Sequence, residues 1–134
     1  MRHGSLVLLS AVLGLALATP LAAHHSFAAQ YDRDQPVTLT GAVTKVEWNN
    51  PHVYFYIDVL NEESGKVENW AWEMGAPAVI QRSGWRRNSM AIGDLVTVDG
   101  WRARNGDFHG NARTVTLAST GEELGARSSA DETP

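Results

Sequence analysis

The residues best suited to chemistry sit where an apolar run ends, in "PLAAHHSFAAQYD", Pro20 to Asp32. His24 and His25 follow Leu21-Ala22-Ala23 there. A cut after Ala23 would make His24 the first residue. Its free amine and its ring Nδ1 then close a small chelate ring on one metal ion. A second imidazole completes a T-shaped set of nitrogens suited to Cu(II), because nitrogen donors favour copper over harder ions. A cut after Ala22 leaves Ala-His-His instead, and the amine, two amides and the His25 ring make a square-planar Cu(II) or Ni(II) site. Both starts point to the same metals, and copper is the one cofactor these residues suggest. The competing reading is a solvated polar arm.

His52 is the expected partner, since Pro51 shapes the turn before it and it opens a strand. The candidate metal ligands are therefore His24, His25 and His52. His109 follows the Asn105-Gly106 turn and reads as a surface residue. Asp32, Glu47 and Glu73 could lend an oxygen or orient an imidazole, and spacing singles out none of them. Aromatic residues offer a second theme. Tyr54, Tyr56, Trp70 and Trp72 are candidates for a ligand-binding platform that stacks on an oligosaccharide or meets a protein partner; the alternative is that the tryptophans fill a core. Arg82, Arg86 and Arg87 form a short basic cluster around Gly84-Trp85, read as a solvated helix end. No phosphate loop, nucleophile elbow or HExxH motif is present, so a binding protein is expected rather than an enzyme.

These residues must be carried by a small exported domain. Leu6 to Leu17 is almost wholly apolar, too short for a span of ~20 residues, and residues 1–23 read as a signal peptide. The expected location is periplasmic or secreted, with no membrane attachment after processing. Formal charge is -4, with 15 acidic against 11 basic residues, and such a balance argues against nucleic acid as a partner. The chain has no cysteine, which excludes disulfides and thiolate chemistry.

Residues 24–36 read as an N-terminal arm. From Val37 the apolar period is two, through Leu39, Gly41 and Val43; it then changes parity at Val46 and Trp48, as a β-bulge would produce. "HVYFYIDVL" alternates cleanly, with Val53, Phe55, Ile57 and Val59 on one face. "VENWAWEM" is a third strand. "PAVIQRSG" reads as a short helix with Pro77 in its first turn and Gly84 past its end. Two further strands follow, around Val96-Val98 and from Phe108 to Leu117. This order predicts an all-β domain with one short helix, a five-stranded OB-like Greek-key barrel over residues 37–120, with a small β-sandwich as the alternative. Residues 121–134 read as a disordered acidic tail. Val53, Phe55, Ile57, Val96 and Val98 are the expected core.

The segments "AHHSFA", "VTLTGAVTKVEWNNPH", "GWRR" and "GDLVTVDG" resemble a family of small exported bacterial proteins known as a domain of unknown function. The resemblance runs from His24 to about Gly121. It implies a Gram-negative periplasmic setting and a small β-rich domain, and it supplies no activity.

Overall fold

The structure, a computed structural model, describes residues 27–127. The expected signal peptide, His24, His25 and the end of the tail lie outside the described residues. The fold is mostly β, with one short helix between the third and fourth strands.

Strand β2 (Tyr54–Leu60) follows from its alternation. Phe55, Ile57 and Val59 are buried, while Tyr54, Tyr56 and Asp58 face the other way. Strand β3 (Val67–Glu73) lies antiparallel to it, with Phe55 opposite Trp72 and Ile57 opposite Trp70. Directly opposed residues share a face, so both tryptophans point into the core. Strand β1 (Tyr31–Glu47) pairs with β2 through Ala42 to Glu47, and with β4 (Leu95–Ala103) through Tyr31 to Ala42. A strand serving two partners must bend. Its register with β2 shifts between Val43 and Lys45, where the sequence changes parity.

Helix α1 (Pro77–Arg82) starts on its proline and buries Ile80. Gly84 just beyond it has φ +96°, a left-handed value that glycine adopts without penalty. Trp85 folds back there, its backbone N–H donating to the Ile80 carbonyl and its indole to the Gly125 carbonyl at 2.9 Å.

Strands β5 (His109–Leu117) and β6 (Glu123–Gly125) complete one sheet of order β3-β2-β1-β4-β5-β6, in which β3 also pairs with β5, parallel. This is one sheet, not the two facing sheets of the sandwich alternative. Val53, Phe55, Ile57, Val96 and Val98 are all 0% exposed. Trp72 fills the centre. A Cβ on Gly110 would stand 2.5 Å from its ring, and one on Gly100 2.8 Å, so both positions must be bare for the indole to fit.

Two boundaries differ from expectation. The first strand begins at Tyr31, not Val37, because Tyr31 packs with Phe27, Ala103 and Trp101 in a second apolar cluster. The segment is therefore held on the sheet, although Asp32 to Gln35 is polar. The tail is ordered past Gly121, because Leu124 and Ala126 are buried in the main core and the Ala126 N–H donates to the Arg113 carbonyl at 2.9 Å.

Candidate functional site

Register alone gathers a polar cluster on the outer face of β2, β3 and β5. Tyr54 lies opposite Glu73, and His109 lies beside Ala71. Residues two apart on a strand share a face, so Tyr54, Glu73 and His109 come together. The N-terminal segment then brings Tyr31 across them. Residues 27–30 form a helical turn, held down by the Arg104 side chain donating to the Ala28 carbonyl at 2.8 Å, and by the Arg104 backbone N–H donating to the Gln30 carbonyl at 2.8 Å. Phe27 meets Trp101 edge-on, and the Arg33 guanidinium lies over both rings.

Glu73 is the centre of the cluster. Its Oε2 accepts the Tyr31 hydroxyl at 2.6 Å and the Tyr54 hydroxyl at 2.8 Å. Its Oε1 lies 3.5 Å from His52 Nδ1. Glu73 itself is buried. A buried carboxylate needs such donors, because charge-assisted hydrogen bonds offset its lost hydration.

The hydrogen bonds orient both imidazole rings. His52 Nδ1 lies 3.0 Å from the Met74 carbonyl. A carbonyl only accepts, so Nδ1 is the donor in this contact. The Tyr31 hydroxyl gives its one proton to Glu73, so the 3.0 Å contact with His109 Nε2 has the imidazole donating to the Tyr31 oxygen. His109 Nδ1 then keeps its lone pair. The His109 ring also meets the Tyr31 ring edge-on at 5.4 Å, which restricts its rotation. A cavity of about 260 Å³ opens beside it, lined by Ala29, Gln30, Ala103, Asn105 and His109.

The environment shifts two of these groups. Burial, then the hydrogen bond and charge of Glu73, hold the Tyr54 phenol well above its ordinary value of 10, so Tyr54 stays a donor at any physiological pH. Burial holds the His109 ring below its ordinary 6.5, against the opposing pull of Glu73 and Asp107. The unfolded chain therefore takes up this proton first as pH falls. Stability from this group is fully present above pH 6.5 and is lost below it, toward the depressed folded value. Thermal melts across that range should show His109→Gln losing less stability on acidification than the parent. Parallel losses would place the effect elsewhere.

The other expected site residues are dispersed. Trp70 and Trp72 stack on each other with centroids 6.0 Å apart and belong to the core. A ligand stacking on either would have to displace that packing, which removes them from any platform. Tyr56 faces outward but donates to Glu47 Oε2 at 3.0 Å, and Lys45 Nζ lies 2.6 Å from the other carboxylate oxygen. Those two hydrogen bonds, Lys45 first, hold the Glu47 carboxyl below its usual range. His52 lies at the edge of the Glu73 cluster, while His24 and His25 lie outside the described residues. His109 is half-buried in the cluster and not simply a surface residue. Tyr31 and the central role of Glu73 had no sequence signal beyond the Phe27 to Tyr31 aromatic spacing. Among the described residues, no group of three or more His, Asp or Glu side chains is placed to hold a metal ion.

Residues 12–113 match a family of unknown function (DUF6152). No curated protein matches the chain.

Proposed function

The chain belongs to that family, and from its site we propose an exported, periplasmic binding domain that holds one copper ion through its N-terminal histidines. The fold in this reading is an OB-type Greek-key barrel. It is supported by a pairing cycle that runs β1, β2, β3, β5, β4 and back to β1, with α1 between β3 and β4.

One observation carries the copper reading. The segment that follows His24 and His25 in sequence, from Phe27 on, folds back onto Glu73 through Tyr31, and His52 and His109 each have one ring nitrogen held by a hydrogen bond. Metal-ligating histidines are oriented in this way, with the second ring nitrogen donating to a carbonyl or another acceptor. From Phe27, extended chain reaches back to His24 over at most ~11 Å, so the N-terminal amine and ring can meet an imidazole of the sheet. His24 supplies its amine and ring, His25 supports or replaces one of them, and one sheet imidazole completes the set, with His52 the candidate read from sequence. All donors are nitrogen, which suits Cu(II). Affinity falls as pH drops through ~6.5, because ligating imidazoles must be neutral.

Copper(II) titration of the exported chain, its first residue read by intact mass, tests this. The double substitution His24→Ala, His25→Ala abolishes both N-terminal chelation modes and should weaken binding at least tenfold, or ~1.4 kcal/mol. Equal affinity in the two chains contradicts the reading, and so does a mature start beyond His25.

A further inference from the structure

We propose that the arginines gathered around β6 form a docking surface for a membrane rich in anionic lipid, whose phosphates they meet. The proposal stands apart from the copper reading, and it departs from the sequence expectation that the processed chain meets no membrane.

In the sequence, Arg82, Arg86 and Arg87 flank Gly84-Trp85 and read as a solvated helix end. The fold adds two more. The Trp85 indole donates to the Gly125 carbonyl at 2.9 Å, and a Cβ on Gly125 would stand 3.7 Å from the Ser83 hydroxyl. Arg127 follows directly along that segment. The Ala126 N–H donates to the Arg113 carbonyl at 2.9 Å, which brings β5 alongside. Arg82, Arg86, Arg87 and Arg113 are exposed, and Arg127 is half-buried.

These five differ from the other arginines. Arg33 and Arg102 lie over aromatic rings, and Arg104 donates to the Ala28 carbonyl. Among the described residues the ion pairs are those of Lys45 with Glu47, His52 with Glu73 and Arg104 with Asp32, and none takes one of the five. The carboxylates of this region, Glu122 and Glu123, stand at the start of β6, where Glu123 lies opposite Thr116. The chain has 15 acidic residues against 11 basic ones, so partners are in supply. Like charges concentrated without them repel one another and oppose the compact state.

The rest of the patch selects the partner. A stable protein interface has an apolar, desolvated centre. Trp85 and Leu124 are buried here, and the exposed large apolar residues, Leu60, Val67, Ile92, Leu95 and Phe108, belong to other segments. Charge without an apolar centre suits a surface of densely spaced anions. An anionic bilayer is one, and each basic residue held near it adds to the attraction. Guanidinium groups also match phosphate oxygens in pairs. The whole chain carries a formal charge of -4, so such a bilayer repels its other faces. Screening confines both effects to ~10 Å at 0.1 M salt, and the arginine face must therefore be the one that docks.

Co-sedimentation of the exported chain with vesicles tests this. Vesicles of equal parts phosphatidylcholine and phosphatidylglycerol are compared with phosphatidylcholine alone. At low ionic strength we expect binding to the first only, lost as salt is raised. Arg113→Gln and Lys66→Gln each remove one exposed positive charge. Lys66 lies in the β2–β3 loop, at the opposite end of β3 from the residues that pair with β5. Arg113→Gln should weaken binding ~fivefold, the factor for one basic residue at an anionic surface, and Lys66→Gln less than ~twofold. The triple substitution Arg82→Gln, Arg86→Gln, Arg87→Gln should abolish binding. These side chains are exposed, and a thermal melt confirms that each variant is folded. Absence of binding to the phosphatidylglycerol vesicles overturns the proposal, as does equal binding to both kinds. Equal losses in the two single variants overturn it too, since net charge and not this face would then govern binding. A triple variant that binds like the parent does the same. A chain that ignores vesicles but binds poly-glutamate through the same arginines would assign the face to an acidic protein and overturn the lipid proposal.

Discussion

Trp72→Ala lowers the unfolding free energy by ~3–5 kcal/mol, the range for deleting a buried large aromatic side chain. A domain of this size has only ~5–15 kcal/mol in total, so the variant should be close to the limit of folding. The magnitude is at the upper end because the site cannot collapse. The indole is fully buried and lies over Gly100 and Gly110, positions without side chains that could swing in to fill the gap. Its neighbour Trp70 would lose a stacked partner as well. Urea denaturation followed by far-ultraviolet circular dichroism measures the change. A loss below ~1.5 kcal/mol, typical of tolerated core exchanges, would mean that the centre of the domain repacks and that Trp72 is not its keystone.

Glu73→Leu is the second large effect, and it acts on the arm as well as on stability. The substitution leaves the Tyr54 hydroxyl without the acceptor it now has at 2.8 Å, and removes the 2.6 Å bond that latches Tyr31. A buried donor deprived of its acceptor costs ~1–3 kcal/mol, and Tyr54 is that donor. The leucine recovers part of this by burying apolar surface. The net cost should therefore sit near ~2 kcal/mol, within the same range. The more specific expectation is local. The backbone N–H of Arg104, which donates to the Gln30 carbonyl, should exchange with solvent faster relative to core strands, because the Tyr31 latch no longer pins the arm. Uniform acceleration across the sheet would indicate a global loss of stability, with no particular hold on the arm.

The elements that follow a short period were legible in the sequence. The alternation from Val53 to Val59 identified β2 and its buried face, because a sheet with one face in the core imposes period two. The parity change between Val43 and Val46 located the bend in β1, and Pro77 with Gly84 bracketed α1. The same logic, carried across one register, places Trp70 and Trp72 inside: they stand opposite Ile57 and Phe55. Only the pairing was missing, and without it their face was ambiguous. The polar cluster had no such signal. Tyr31 reaches Glu73 across 42 positions and His109 across 78, so no local spacing encodes the contact. The start of β1 was hidden for a related reason. Tyr31 is buried by Phe27, Trp101 and Ala103, two of which arrive from the far end of β4. The last strand escaped notice because it is three residues long, with Leu124 its one large apolar side chain.

In the proposed reading the latched arm is part of a copper site, copper being the metal that an all-nitrogen donor set favours. Electron paramagnetic resonance of the exported chain with one equivalent of Cu(II) tests that claim most directly. The account predicts an axial spectrum with resolved nitrogen couplings, in which the amine and imidazoles fill the equatorial plane and free aqueous copper is absent. A spectrum of aqueous Cu(II), or of oxygen-bound copper unchanged by His24→Ala, His25→Ala, would contradict it.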